Sequence, residues 1–165
     1  MTQPDELIDI SATVNGVRVV RRVPARQHVT DFLRETLGLT GSHLGCEHGV
    51  CGACTVRVNG EIVRGCLMLA VQADGATVET IEGVSESGEI AGIQREFYER
   101  NALQCGFCTP GVLLTAAELV ARNPHATREE IRAHLSGNYC RCTGYQAIVD
   151  AVEAACRARR AGVRA

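Results

Sequence analysis

The sequence is poor in aromatic residues and has no long apolar run. It contains three Phe, three Tyr and no Trp, which predicts a core built mainly from aliphatic side chains. No stretch approaches the roughly 20 apolar residues that a membrane-spanning helix needs, so we expect no membrane insertion. The net charge of −2 lacks the basic excess typical of nucleic-acid binding, and we expect no nucleic-acid partner.

Two further features are missing. The first six residues, MTQPDE, are polar and acidic, whereas an export signal has a basic region followed by an apolar segment. We therefore expect a cytoplasmic protein. The sequence also has no Ser–His–Asp signature, phosphate-binding loop or paired carboxylates in a convincing setting, so no catalytic residues are predicted. We interpret four histidines as surface or loop residues: His28, His43, His125 and His134.

Cysteine is the residue in excess, with nine in 165 residues. In a secreted chain they would suggest disulfides, but the count is odd and we expect no export. In a reducing cytoplasm, clustered thiols are better interpreted as metal ligands. Eight of them form two sets of four. The ninth, Cys156, lies on the apolar face of the last predicted helix, which indicates a small buried residue.

The first half of the chain has the alternating pattern of β-strands. Asn15-Gly16 and Asn59-Gly60 are two-residue turns that can adopt positive φ, so each predicts a hairpin. Thr30 is predicted to cap a short helix between the hairpins. The expected strands are residues 7–14, 17–23, 54–58, 61–64 and 77–81, with the helix at 31–37. This order predicts a mixed α+β sheet domain.

The second half has helical periodicity. Residues 82–88 are polar and contain two glycines and two serines, which predicts a linker. Pro110 suits the first turn of a helix, and Thr127 with Glu130 has the capping-box pattern. The four helices are expected near residues 90–97, over 110–122, from 128 to about 137, and over 145–159. We therefore divide the chain into two domains, residues 1–82 and residues 83–165.

The first cysteine set has the spacing C-x4-C-x2-C-x11-C and consists of Cys46, Cys51, Cys54 and Cys66. Its first gaps match plant-type [2Fe–2S] ferredoxins. Such a loop must wrap closely around an anionic cluster, and we expect Gly45, Gly49 and Gly52 to supply positive φ angles. The alternative is one zinc ion on four thiolates, but zinc sites usually combine two similar Cys-x2–4-Cys pairs.

The second cysteine set has the spacing C-x2-C-x31-C-x-C and consists of Cys105, Cys108, Cys140 and Cys142. Both pairs precede predicted helices, so two loops at one end of the bundle could meet around a metal centre. Helix N-termini there would favour an anionic cluster. Spacing alone leaves zinc and a redox disulfide open as alternatives.

Three stretches in this order resemble the iron–sulfur subunit of molybdenum hydroxylases, the xanthine dehydrogenase and aldehyde oxidase family. They are GCEHGVCGACTV at residues 45–56, LQCGFCTPG at 103–111 and GNYCRCTGY at 137–145. The resemblance implies a plant-type ferredoxin-like (β-grasp) domain followed by a four-helix-bundle [2Fe-2S]-binding domain. It also implies that each cysteine set holds one [2Fe–2S] cluster, including the second set, which spacing alone leaves undecided.

The resemblance further implies partners and an order of electron transfer. Electrons would pass from a molybdopterin centre to the helical-domain cluster, then to the plant-type cluster and on to FAD. A large subunit would bind the molybdopterin, expected as its cytosine dinucleotide, and a medium subunit the FAD, in a dimer of heterotrimers. In relatives, the position of Gln104 contacts the pterin and that of Cys142 lies near it. Residue type alone would instead make Gln104 an amide bonded to its own turn.

The substrate implied by the resemblance is an N-heteroaromatic compound or an aldehyde. Carbon monoxide dehydrogenase small subunits are similar too, but they differ between the first two cysteines, and residues 47–50 favour hydroxylases of organic substrates. A free-standing ferredoxin-like carrier is another alternative, although it would need only the first cysteine set. A zinc-stabilised interaction module is the third.

Overall fold

The computed structural model describes residues 6–162. Most of the N-terminal segment considered for an export signal, and the last three residues of the second predicted domain, lie outside this range. Across residues 6–162, no helix is long and apolar enough to cross a membrane.

The first half forms a five-stranded sheet in the order β2-β1-β5-β3-β4. The strands are β1 Leu7–Val14, β2 Val17–Pro24, β3 Thr55–Val58, β4 Glu61–Arg64 and β5 Thr77–Glu79. Both predicted hairpins are confirmed, with antiparallel pairing of β1 with β2 and of β3 with β4. β5 joins the hairpins, because it pairs parallel to β1 and antiparallel to β3. The two hairpins therefore form one sheet only when β5 is in place between them.

The short helix begins earlier than predicted. α1, Val29–Asp31, continues as a π-helical turn, Phe32–Thr36. The predicted cap, Thr30, is wrong: the His28 ring occupies the cap position, and its Nδ1 accepts a hydrogen bond of 3.1 Å from the Asp31 amide. Thr30 is fully buried inside the first turn. His28 is therefore a capping residue and not an ordinary loop residue.

The predicted linker is also wrong. Its residues form α2, Ile81–Glu86, and β5 ends two residues before the predicted limit. Ile81 and Val84 are both buried, and residues three apart share one helix face. Burial of this face stabilises the helix more than its glycine and serine residues destabilise it. A carboxylate oxygen of Glu82 accepts a hydrogen bond of 2.7 Å from the Gly41 amide, which fastens the segment to the first half.

The four predicted helices are confirmed. They are α3 Ala91–Glu99, α4 Thr109–Arg122, α5 Arg128–His134, followed by a 3-10 turn Leu135–Gly137, and α6 Gln146–Arg160. The capping box at Thr127 and Glu130 is present. Tyr145 differs from the prediction, because it precedes α6 with a left-handed φ of 67°. The predicted α6 face is otherwise buried, including Cys156.

Two apolar clusters divide the buried residues. One lies between the sheet and α1 around Phe32 and Leu33, and the other lies among the helices around Leu114 and Ile131. The halves meet where Gly52, just before β3, faces the backbone of Gly137 and the start of α4. A Cβ on Gly52 would lie 2.3 Å from the Gly137 oxygen, and one on Gly111 would lie 2.2 Å from the Gly52 oxygen. Positions 52 and 111 therefore cannot carry a side chain without a shift of the facing backbone.

Replacing Gly52 with alanine tests this junction. Gly52 and Gly60 both have positive φ, 74° and 85°, but no atom lies within 4 Å of a Cβ on Gly60. Gly60→Ala should cost only the left-handed conformation, about 1–2 kcal/mol. Gly52→Ala should lower the thermal unfolding midpoint further, because the Gly137 backbone must also move. Equal midpoints for the two variants would contradict the close approach.

Candidate metal centres

The first centre is formed by the loop that precedes β3 and by Cys66, which lies two residues after the end of β4. Cys46 and Cys51 are partly exposed, whereas Cys54 and Cys66 are buried. Gly49 and Gly52 have positive φ as predicted, but Gly45 does not, and Glu47 adopts 57° instead. Gly45 is required for another reason, because a Cβ there would lie 3.1 Å from the Cys51 sulfur. The loop therefore closes tightly around its thiols.

The four thiols of the first set come together as two pairs. The Cys46 thiol interacts with that of Cys51, and the Cys66 thiol with that of Cys54. The Cys51 amide donates to the Cys46 sulfur over 3.4 Å. Backbone N–H groups, first that of Cys51 and then that of His48, lower the pKa of Cys46 to about 6. Burial raises the pKa of Cys66 to about 12.

The second centre lies between the loops that precede α4 and α6, as the sequence predicts. Its thiols are also paired, Cys108 with Cys140 and Cys105 with Cys142. The first pair is partly buried and the second is exposed. The set therefore has an inner pair against the helices and an outer pair at the surface.

Thr143 supports the inner pair of the second centre. Its amide lies 3.4 Å and its hydroxyl 3.1 Å from the Cys140 sulfur. Burial raises the pKa of Cys140, but the hydrogen bonds from Thr143 and its neighbours outweigh that effect and lower the pKa overall. Cys108 receives less support, and burial raises its pKa to about 12. The site thus already supplies donors to one of the sulfurs that a cluster would make anionic.

The paired arrangement fits a binuclear cluster. A [2Fe–2S] cluster takes four thiolates, two on each iron, and each centre offers two thiol pairs. Backbone donors and close-fitting glycine around the sulfurs are the surroundings that such a cluster requires. The residues present therefore fit the group.

The ligand loops of the two centres are in direct contact, which no pattern in the sequence predicts. The Tyr139 amide donates a 2.8 Å hydrogen bond to the Cys51 carbonyl, and it directly precedes Cys140. The His43 ring stacks on Phe107 with centroids 4.7 Å apart, and its Nδ1 lies 2.8 Å from the Phe107 carbonyl oxygen. His43, interpreted from the sequence as an ordinary loop residue, therefore joins the two loops.

The remaining site residues lie as follows. Gln104 is exposed and directly precedes Cys105 in the chain. The His48 ring contacts the Cys46 carbonyl. His134 is not an isolated surface residue, because its Nε2 lies 3.2 Å from a carboxylate oxygen of Glu118.

Each half of the chain matches a known protein family. Residues 12–81 match the 2Fe-2S iron-sulfur cluster binding domain, and residues 80–153 match the [2Fe-2S] binding domain. The fold and the two thiol sets thus define a protein with two [2Fe–2S]-binding domains.

Relatives are similar over nearly the whole chain. The nicotine 6-hydroxylase small subunit of Paenarthrobacter nicotinovorans is 51% identical over 149 residues, which is 90% of each chain. Caffeine dehydrogenase subunit gamma of Pseudomonas sp. strain CBB1 is 50% identical over 147 residues, covering 87% of this chain and 88% of that one. A chain of quinoline 2-oxidoreductase from Pseudomonas putida 86 superposes with a TM-score of 0.88 at 50% identity, covering 94% and 98% of the two chains.

The chain belongs to the iron–sulfur subunits of molybdenum hydroxylases, the xanthine dehydrogenase and aldehyde oxidase family. These subunits are the electron-transfer components of molybdenum-dependent oxidoreductases. The predicted family, fold class and electron-transfer role are confirmed.

Thr143→Val should lower the reduction potential of the second centre. The hydroxyl near the Cys140 sulfur stabilises negative charge, and the reduced cluster carries more of it, so loss of the hydroxyl disfavours reduction. Thr143→Ser keeps the hydroxyl and should therefore have the reduction potential of the wild type. Thr109→Val leaves the contacts of Cys140 intact and serves as the matched control. An EPR-monitored redox titration measures all three, and an unchanged potential in Thr143→Val would contradict this role.

Proposed function

We propose that this chain transfers electrons between a large molybdopterin-binding subunit and a medium FAD-binding subunit of one heteromeric hydroxylase. The observation that carries the proposal is the contact between the two thiol sets at the Cys51 carbonyl and the Tyr139 amide. Two separate metal centres whose ligand loops are bonded to each other are what a relay needs. A protein that used either set only for structural support would not need them joined.

The ligands follow from the thiol pairs. Cys46, Cys51, Cys54 and Cys66 hold the plant-type [2Fe–2S] cluster, and Cys105, Cys108, Cys140 and Cys142 hold the helical-domain cluster. When bound, each cluster accepts and returns one electron at a time. The chain supplies the thiolates and the backbone donors that offset their charge. The matched family regions, residues 12–81 and 80–153, support a division into domains at residues 1–82 and 83–165.

The second centre is the electron entrance in this proposal. Its outer thiols, Cys105 and Cys142, are exposed, and Gln104 is exposed beside them. Gln104 would contact the pterin of the large subunit, and Cys142 would lie near it. Large apolar side chains around this centre are also exposed, with Phe107 45% and Tyr139 55% accessible. Exposed apolar side chains around polar groups are typical of a docking surface.

The first centre is the exit toward FAD. It has its own exposed apolar side chains, Val50, Leu67 and Leu69. Leu67 extends over Gly49, where a Cβ would lie 2.3 Å from its Cδ1, and so it covers the loop that carries Cys46 and Cys51. Apolar surfaces at both centres support one partner at each. We further propose a dimer of such heterotrimers in the cytoplasm.

The proposed substrate is an N-heteroaromatic compound. The similar proteins are named for nicotine, caffeine and quinoline, and all three contain nitrogen in an aromatic ring. The substrate would bind to the large subunit, which also holds the molybdopterin in this proposal. The molybdopterin is proposed to be the cytosine dinucleotide form.

Isolation of the tagged chain from its native host tests the assembly. We expect a large chain with molybdopterin cytosine dinucleotide and a medium chain with FAD to co-purify, and the complex to oxidise N-heteroaromatic compounds. Purification as a monomer with both clusters and neither partner would instead identify a free-standing carrier. A complex that oxidises only aldehydes would overturn the substrate class alone.

Cys105→Ser should remove the helical-domain cluster and stop electron flow from molybdenum, while the plant-type EPR signal remains largely in place. The mutated thiol belongs to the outer pair of the second set, and the other set keeps all four of its thiols. The wild-type protein should contain iron and labile sulfide and give two signals. Zinc without iron would contradict both assignments. Loss of both signals in the variant would indicate that the two domains do not fold independently.

A further inference from the structure

A buried network of polar groups connects the two ligand loops apart from the cysteines. Its centre is the carbonyl of Gly52, which lies between Cys51 and Cys54. This oxygen accepts a hydrogen bond of 2.6 Å from the Thr55 hydroxyl and one of 3.2 Å from the Asn138 side-chain amide. Thr55 is fully buried and Asn138 is 2% exposed. The network therefore lies inside the junction of the two halves.

Arg64 completes the network from the end of β4. One guanidinium nitrogen donates to the Thr55 hydroxyl, and the other donates over 2.8 Å to the Gly137 carbonyl. Arg64 thus has one contact beside the first ligand loop and one at the start of the second. A planar guanidinium holds two acceptors in a fixed relative position, which a lysine ammonium cannot do.

Asn138 makes a parallel connection. Its side chain reaches Gly52 in the first ligand loop, while its own backbone lies two residues before Cys140 in the second. The oxygen of its amide is buried without a hydrogen-bond partner among the described residues. A buried acceptor without a partner is unfavourable, so the residue contributes through its donor end.

We propose that Arg64 and Asn138 are positioning residues that fix the separation of the two ligand loops and thereby set the rate of electron transfer between them. This inference rests on the proposed relay function. In the step concerned, one electron leaves the reduced helical-domain cluster, which is oxidised, and reduces the plant-type cluster. No bond is made or broken. Because electron tunnelling falls steeply with distance, a small increase in loop separation slows the step.

The glycines at the junction leave little room for a change in the separation of the two ligand loops. Gly137 leaves room for Arg64, since a Cβ there would lie 2.6 Å from its guanidinium nitrogen. Backbone meets backbone at Gly52 and Gly111, so few side chains are available to take up a displacement. Without the two donors, the Gly52 carbonyl loses its bond from the second half, and the Gly137 carbonyl loses its bond from β4.

The test uses Arg64→Lys and Asn138→Ala in the complete complex. Both changes preserve the net charge of the chain. A change in transfer rate therefore cannot result from a cluster potential altered by the loss of a charge. The matched control is Arg57→Lys, because Arg57 also connects the halves through two contacts, to Glu89 at 2.7 and 3.1 Å. That ion pair lies before α3 and does not involve the ligand loops. The readouts are the magnetic coupling of the two reduced clusters by EPR, and the rate at which substrate electrons reach the plant-type cluster.

We expect full-intensity signals from both clusters in Arg64→Lys and Asn138→Ala, altered coupling, and a several-fold slower transfer rate. Arg57→Lys should resemble the wild type. Wild-type coupling and rate in both junction variants would overturn the proposal, and so would an equal loss in Arg57→Lys. If Arg64→Lys loses a cluster, the coupling and transfer rate of Asn138→Ala decide the test. If Asn138→Ala also loses a cluster, the two residues are needed for cluster assembly, and the proposed effect on the transfer rate is overturned. A wild-type complex without two EPR signals would refute the relay function itself.

Discussion

The close approach of two backbones at Gly52 is the constraint on which the arrangement of the protein depends. The Gly52 carbonyl faces Gly111 and Asn138, and its neighbour Cys51 bonds to Tyr139. These contacts bring the ligand loops of two different folds into direct backbone contact. A sheet domain and a helical domain packed through ordinary apolar side chains would hold their thiol sets farther apart.

Bringing four thiols together is costly because a cluster makes all of them anionic. The chain offsets this cost with backbone donors and helix N-termini. The Cys51 and Thr143 amides point at sulfurs of the two centres, and α4 and α6 begin after the two cysteine pairs of the second centre. Donors fixed in the backbone remain in place for any residue other than proline.

Local patterns predicted much of this molecule from sequence. Asn-Gly turns specified both hairpins, Thr127 with Glu130 marked the start of α5, and the clustering of eight cysteines predicted two sets of thiols that the structure brings together. The predicted linker is wrong because tertiary burial of Ile81 and Val84 makes residues 81–86 helical and outweighs their local composition. Contacts between distant loops, such as Tyr139 with Cys51 or Arg64 with Gly137, have no local pattern and required the structure.

The order of the chain gives the Gly52 junction a consequence for biosynthesis. All four cysteines of the first set have been synthesised by residue 66, but β5 closes the sheet only at residue 79. The partners of the Gly52 carbonyl from the helical half follow at residues 111 and 138. The first ligand loop thus reaches its final form only after residue 138 has left the ribosome. A finished first centre therefore depends on a part of the chain that is made 72 residues after its last cysteine.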